Sequence, residues 1–181
     1  ANTVLQDVID DPVIQMYNTR VIAEPWSAGG NYGSLLGAYP KSSNRDDMAW
    51  GEWNARFRDT WRELLNEDGS NLSSGSPTGF GNIMLGTSEL YEWNGRHPYH
   101  AVNFMTAHDG FTLYDLMTYE QKVNGCSPLN SICCDDPTSP WCDPASGDDH
   151  NRSRDWGDEA TKRQMMRNAF TAMMISHGTP M

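Results

Sequence analysis

The stretch Thr19-Arg-Val-Ile-Ala-Glu-Pro-Trp26 decides the fold. Its short run of apolar and β-branched residues predicts a strand that is buried on both faces, as in a parallel sheet. The preceding residues, Thr3 to Met16, have the spacing of an amphipathic helix, which Asp10-Asp-Pro12 interrupts because the residue before a proline disfavours helical geometry. A glycine-rich loop follows Trp26. Helix, strand and loop in this order predict an α/β fold.

A second predicted strand, Ala101-Val-Asn-Phe-Met-Thr106, ends at His108-Asp-Gly110. A helix is predicted over about Glu159 to Ser176, with one apolar face and Gly178 as its stop signal. The residues of that face are Met166, Ala169, Phe170, Met173 and Met174. Further helices are predicted over Phe57–Leu65, Ile83–Tyr91 and Phe111–Tyr119, and loops over 38–54, 70–82 and 124–158. On the first of these helices, four charged residues are predicted to be exposed: Arg58, Asp59, Arg62 and Glu63.

Composition narrows the class of protein. The chain has 181 residues, of which 38% are hydrophobic and 10% aromatic, so one globular domain with a sizeable core is expected. The formal net charge of −11 argues against a nucleic-acid partner and against an anionic membrane surface, since both attract clustered lysine and arginine. No apolar run approaches the length that spans a bilayer.

All four cysteines lie in one short stretch: Cys126, Cys133, Cys134 and Cys142. A bond between the neighbours Cys133 and Cys134 is strained, which leaves the pairings 126–133 with 134–142 and 126–134 with 133–142. A zinc site is the alternative, but the Cys-x-x-Cys and His-x-x-x-His spacings are absent from the sequence. Disulfides favour a secreted or periplasmic location, with the cytoplasm as the alternative.

Each predicted strand ends in a carboxylate, Glu24 on the first and Asp109 on the second. Active sites of parallel α/β proteins lie at these carboxyl ends. Glycoside hydrolysis uses a proton donor with a raised pKa and a second carboxylate across the scissile bond. A strand-end carboxylate can equally cap a helix or bind a nearby arginine, so spacing alone does not name the reaction.

Several blocks, in order, resemble the isoamylase-type debranching enzymes of the α-amylase superfamily, glycoside hydrolase family 13. The first is Val21-Ile-Ala-Glu-Pro-Trp26, which resembles the segment bearing the general acid. The others are Trp50-Gly-Glu-Trp-Asn54 with Phe57-Arg-Asp-Thr60, Asn103-Phe-Met-Thr-Ala-His-Asp-Gly-Phe-Thr-Leu113 preceded by Pro98, Asn151-Arg-Ser153, Arg163-Gln-Met-Met-Arg-Asn168 and Gly178-Thr-Pro-Met181. Together the blocks cover residues 12 to 181, nearly the whole chain.

The resemblance implies a (β/α)₈ barrel of a retaining hydrolase that cleaves α-1,6 branch points of glycogen or amylopectin. Glu24 matches the general acid/base, and Asp109 matches the carboxylate that stabilises the oxocarbenium-like transition state. His108 matches a histidine that hydrogen-bonds the sugar, and Trp26 is expected to stack on a glucose ring. Tyr32, Trp50, Trp53 and Tyr99 are weaker stacking candidates.

The family's nucleophile is an aspartate in an Arg-x-Asp block at the end of the fourth barrel strand, and that block is missing from this sequence. The chain is therefore expected to be a fragment, about strands 5 to 8 of one catalytic barrel with a cysteine-bearing insertion at 124–148. Its partner would be the rest of its own barrel, and alone it is expected to be inactive. Other α-glucan specificities, α-1,4 or trehalose-releasing, and a non-catalytic glycan-binding fragment are the alternatives.

No cofactor is expected. An acidic group in the cysteine-bearing stretch is a candidate for calcium, but it lacks the spacing of a calcium loop, so a solvated acidic loop is the preferred interpretation. Its members are Asp135, Asp136, Asp143, Asp148 and Asp149.

Overall fold

The structure, a computed structural model, describes residues 3–26, 35–67, 77–121 and 151–181. Four short strands form one parallel sheet, in which each strand pairs with the next along the chain, in the order β1-β2-β3-β4. They are β1 (Ile22–Ala23), β2 (Gly51–Trp53), β3 (Ala101–Asn103) and β4 (Thr179–Pro180). Parallel neighbours require crossover connections, and in the described residues helices lie in two of the three, from β2 to β3 and from β3 to β4. The predicted α/β class is confirmed.

Six α-helices accompany the sheet within the described ranges: α1 (Thr3–Ile9), α2 (Pro12–Met16), α3 (Ala55–Asn66), α4 (Pro77–Met84), α5 (Leu113–Leu116) and α6 (Glu159–Ile175). Three 3₁₀ turns, Ser88–Leu90, Glu92–Asn94 and Pro98–His100, lead into β3. The break predicted at Asp10–Pro12 is confirmed, because Asp11 caps α2 by accepting hydrogen bonds from the amides of Val13 and Ile14. The long final helix is confirmed too, with Asp158 as its N-cap.

The main core lies between α3 and α6. Phe57 of α3 is fully buried, and it shares one apolar cluster with Ala169 and Met173 of α6. Ile83 of α4 and Met105, just after β3, complete the contact between helices and sheet. A second cluster joins α1 to β1 and to the segment before β2, through Ile9, Ala23, Met48 and Trp50. The packing of the helices thus positions the strands and the loops that follow them.

The expectation that the first strand is buried on both faces is wrong. Ala23 is 7% exposed, but its neighbour Ile22 is 49% exposed. Successive side chains of a strand point to opposite faces. Ala23 packs with α1 on one face, while the described residues leave half of Ile22 accessible on the other.

Two predictions about segment 38–66 also fail. Strand β2 lies inside the segment that was predicted to be a loop. Its sequence, Gly51-Glu-Trp53, has neither a β-branched residue nor an apolar run, so it gives no local strand signal. The strand forms by pairing with both of its neighbours. Arg62 and Glu63 of α3 are buried rather than exposed, at 6% and 5%. Each has a partner that lies far away in sequence, which periodicity does not reveal.

Other boundaries shift by several residues. Helix α4 begins at Pro77, inside a predicted loop, and β3 ends at Asn103 rather than Thr106. On α6, Phe170 and Met174 of the predicted apolar face are exposed, whereas Ala172 is buried. The buried face of α6 is therefore rotated relative to the predicted one, with Ala172 in place of Phe170 and Met174.

Candidate active site

Glu24 is the first residue after β1, and its side chain is exposed. Asn54 holds the corresponding position after β2, and Phe104 after β3. Because all strands are parallel, these positions share one edge of the sheet. Neighbouring strands lie about 4.8 Å apart, so the ends of β1 and β3 are separated by roughly 10 Å. The sheet therefore brings the two predicted carboxylate-bearing loops to one edge.

An aromatic row joins these loops across β2. The Trp53 ring lies 6.0 Å from the Trp26 ring and 5.7 Å from the His108 imidazole, centroid to centroid. Phe104 packs against the same indole at 5.3 Å, and the Arg58 guanidinium lies 5.7 Å from the Phe104 ring. Tilted rings at these separations attract one another. Two predicted binding residues, Trp26 and His108, thus meet on one indole.

His108 and Asp109 remain accessible beside this row. The His108 Nε2 atom lies 3.5 Å from the Asp109 Oδ2 atom, and the side chains are 64% and 81% exposed. A carboxylate and an imidazole in this arrangement offer an acceptor and a donor to the hydroxyl groups of a ligand. Such exposure in the described residues leaves room for that ligand.

Buried amides hold the strand ends beneath this edge. The Asn54 side chain accepts from the Phe57 amide, as the N-cap of α3, and donates to Thr87 Oγ1 at 2.9 Å and to Asn103 Oδ1 at 3.3 Å. Asn103 in turn donates to the His177 carbonyl at 2.8 Å. Asn54, Thr87 and Asn103 are fully buried. Because these buried amides are hydrogen-bonded to one another and to the backbone, they hold β2, β3 and the start of β4 in a fixed register.

Arg62 supports the loop that bears His108. Its guanidinium donates to the Met105 carbonyl at 2.8 and 2.6 Å, and to the Asn151 carbonyl at 3.3 Å. Asn151 lies next to Gly110, since a Cβ added at that glycine would come within 3.2 Å of Asn151 Oδ1. One buried cation therefore ties helix α3 to both segments that border Asp109.

Two other stacking candidates, Trp50 and Tyr99, do not belong to the aromatic row. Trp50 is 8% exposed and belongs to the core, where its indole donates to the Leu5 carbonyl. Tyr99 lies before β3, at the opposite end of the strands, against His97 and His100. From the sequence, Trp53 was only one of the weaker stacking candidates, and Arg62 was predicted to be exposed and had no predicted role at the site. The signal for Trp53 was present in its block, Trp50-Gly-Glu-Trp-Asn54.

The four cysteines, the five acidic candidates for calcium and Tyr32 lie outside the described residues, so their pairing, ligation and stacking stay predictions. In the parts of the chain that the structure describes, no group of three or more metal-ligating side chains is found. None of the described helices is long and apolar enough to cross a membrane.

Known proteins are similar to this chain over nearly its whole length. The chain is 34% identical to the maize chloroplastic isoamylase SU1 over 183 residues, which is 96% of this chain and 20% of that protein. The glycogen operon protein GlgX homologue of Mycobacterium tuberculosis H37Rv is also 34% identical over 183 residues, 96% of this chain and 22% of its own length. A Flavobacterium isoamylase is 33% identical over 183 residues, 99% of this chain and 21% of its own length.

The chain spans about a fifth of the length of the curated relatives that it matches. Models of known protein families give no match to this chain. The similarity extends over nearly the whole chain, 96% of its residues in the comparison with isoamylase SU1. The chain therefore belongs to the family of isoamylase-type debranching enzymes, as its sequence blocks predicted.

Proposed function

We propose that the full-length protein containing this chain is a retaining glycoside hydrolase that cleaves α-1,6 branch points in glycogen or amylopectin. The observation that carries the proposal is the row formed by Trp26, Trp53 and His108. Flat aromatic surfaces suit the apolar C–H faces of glucose rings. The row joins the loops that carry Glu24 and Asp109, the proposed general acid/base and the proposed stabilising carboxylate of the site.

The architecture supports a partial barrel. Parallel strands in sequential order, with helices in the β2–β3 and β3–β4 crossovers, agree with the connectivity of a (β/α)₈ barrel. The accessible side of Ile22 fits a sheet whose inner face is completed by further strands. In this arrangement the chain supplies about strands 5 to 8, and the rest of its own barrel is its partner.

Three residues divide the chemistry. Glu24 protonates the departing glycosidic oxygen and then activates the water that releases the glycosyl-enzyme. Asp109 stabilises the positive charge that develops on the sugar ring, and His108 donates a hydrogen bond to a sugar hydroxyl. The nucleophile belongs to the block that this sequence lacks, so the chain alone is expected to be inactive.

Substitution of Glu24 tests the role of the proton donor. In the full-length protein, Glu24→Gln should lower kcat/KM on glycogen by roughly 10²- to 10⁴-fold, the usual contribution of general acid catalysis. With α-maltosyl fluoride, whose leaving group departs without protonation, kcat/KM should change little. Undiminished activity of this variant on glycogen would exclude Glu24 as the acid.

Specificity and stereochemistry need a separate measurement. Pullulan, glycogen and amylose should be assayed side by side, and the anomer first released should be identified by NMR. Release of α-anomers from α-1,6 linkages agrees with the proposal. Preference for amylose or release of trehalose would instead indicate one of the other α-glucan specificities.

A further inference from the structure

A buried ion pair lies one strand away from Glu24. Glu52 of β2 and Arg96 are both 0% exposed at their side chains, and Arg96 Nη1 lies 2.5 Å from Glu52 Oε1. Burying two charges carries a large desolvation penalty, and apolar pairs of similar volume are often as stable. The pair therefore calls for an explanation beyond stability, and its remaining hydrogen bonds supply one.

Those bonds converge on one short segment. The two carboxylate oxygens of Glu52 accept from the Gly37 amide at 2.6 Å and from the Tyr39 amide at 3.3 Å. Arg96 Nη2 donates to the Gly37 carbonyl at 2.8 Å, and the Trp93 indole donates to the same oxygen at 3.0 Å. Both polar groups of the Gly37 backbone are thus hydrogen-bonded to the fully buried pair of Glu52 and Arg96, and the exposed Trp93 adds one bond.

Position 37 admits only glycine. Gly37 has φ +85°, and a Cβ there would lie 2.7 Å from the Leu90 carbonyl oxygen. The segment that it anchors is the returning end of the connection that leaves β1 through Glu24 and Trp26. The close approach to Leu90 is therefore part of how that connection is held.

The pair also contacts the outgoing side of the same connection. Glu52 is the register partner of Ala23, the residue directly before Glu24. Arg96 Nη1 additionally donates to the Trp50 carbonyl at the entrance to β2. One charged pair is therefore placed between the strand from which Glu24 emerges and the segment to which its loop returns.

We propose that Glu52 and Arg96 are a positioning pair, which holds the loop of the proton donor by its returning end and so sets the approach of Glu24 to the glycosidic oxygen. The inference rests on the proposed role of Glu24. Neither residue is proposed to touch the substrate. Displacing a catalytic group by about 1 Å can cost on the order of 10²-fold in rate, so small loop movements suffice.

Two single variants of the full-length protein test the pair. Glu52→Gln leaves one carbonyl oxygen for two amides, and Arg96→Lys keeps the charge but loses the second arm that reaches Gly37. Each should lower kcat/KM on glycogen by about tenfold or more, while kcat/KM for α-maltosyl fluoride falls by less than about threefold. A merely structural loss would lower both values by the same factor.

A double variant distinguishes loss of positioning from misfolding caused by one unpaired buried charge. Glu52→Leu with Arg96→Met removes both charges, so it should retain the fold while losing the anchors on Gly37. It should show the same loss confined to glycogen. Ile83→Val, in the core between α3 and α4, is the matched control, and it should leave the ratio of the two substrates unchanged.

The outcomes separate the two proposals. If wild type cleaves glycogen and Glu24→Gln does not, the proposed acid stands, and an unchanged substrate ratio in all pair variants would overturn the positioning role. If pair variants lose activity equally on both substrates, their role is structural and the inference also fails. A wild-type protein without glucan hydrolysis would instead refute the proposed function.

Discussion

The indole of Trp53, at the end of β2, packs against the imidazole of His108, in the loop after β3, with 5.7 Å between their centroids. The same indole contacts Trp26 beyond the end of β1. A residue of the middle strand therefore links the loops of both candidate carboxylates. Its position explains why the two loops can act as one site.

Removing the Trp53 ring should impair catalysis. Each aromatic pair contributes about 0.5–1.5 kcal/mol, so loss of both contacts in Trp53→Ala should cost about 1–3 kcal/mol of transition-state stabilisation. That range corresponds to roughly a five- to hundredfold lower kcat/KM on glycogen in the full-length protein. Trp53→Phe should recover part of the activity. Equal kcat/KM for the Trp53→Ala variant and the wild-type protein would show that the row is not used.

Trp50 and Trp61 should respond differently to loss of their indole N–H groups. Trp50 donates to the Leu5 carbonyl at 3.0 Å, whereas the buried Nε1 of Trp61 has no hydrogen-bond partner in the described residues. Both Phe variants lose similar apolar area, but Trp50→Phe also loses a bond and Trp61→Phe removes an unsatisfied donor. Urea unfolding should give a free energy of unfolding about 1–3 kcal/mol lower for Trp50→Phe than for Trp61→Phe. Equal stabilities would contradict the assigned bonding.

Loss of the Arg62 guanidinium should destabilise the fold. Arg62→Met leaves the Met105 and Asn151 carbonyls without this donor, which should cost about 2–4 kcal/mol of unfolding free energy. The stability of Arg62→Lys should lie between those of Arg62→Met and wild type, because one ammonium cannot reproduce the fork. Arg163→Met is the control, since Arg163 is exposed and its pair with Glu159 should contribute nothing measurable. Equal effects at both positions would refute the role of Arg62.

His100 should make stability depend on pH. Burial lowers the pKa of His100 to about 4 from 6.5; the hydrogen bond with the His97 backbone acts in the opposite direction, and the charge of Arg96 reinforces the lowering. Between pH 6.5 and 4 the unfolded chain binds one more proton than the folded chain. Stability should therefore fall as pH drops through this window, by at most about 1.4 kcal/mol per pH unit.

The His100→Asn variant isolates this contribution. Asparagine can still accept the hydrogen bond that the His97 amide donates to His100 Nδ1, but it does not titrate in this range. The stability difference between wild type and the variant, from urea unfolding at several pH values, should change between pH 6.5 and 4 and level off outside. A difference that is constant with pH would exclude a buried neutral His100.

Sequence patterns predicted the elements that depend on local signals. The run before Glu24 predicted β1, Asp10-Asp-Pro12 predicted the break between α1 and α2, and the apolar spacing after Asp158 predicted α6, because proline and periodicity act within a few residues. Strand β2 was missed, since Glu52 breaks the apolar pattern and its buried carboxylate is paired with Arg96, 44 positions away. A charged residue in the sequence does not predict an exposed position when its partner is distant in sequence.

The sequence by itself determined the family and the identity of the candidate carboxylates, because blocks such as Ile22-Ala-Glu-Pro-Trp26 carry that information in residue types and order. Only the tertiary structure decided that Trp53 joins Trp26 to His108, that Arg62 holds the carbonyls around the second loop, and that Glu52 is buried against Arg96. These contacts cross 27 to 89 positions of sequence, and they arise from strand register and helix packing. No local pattern encodes such distances.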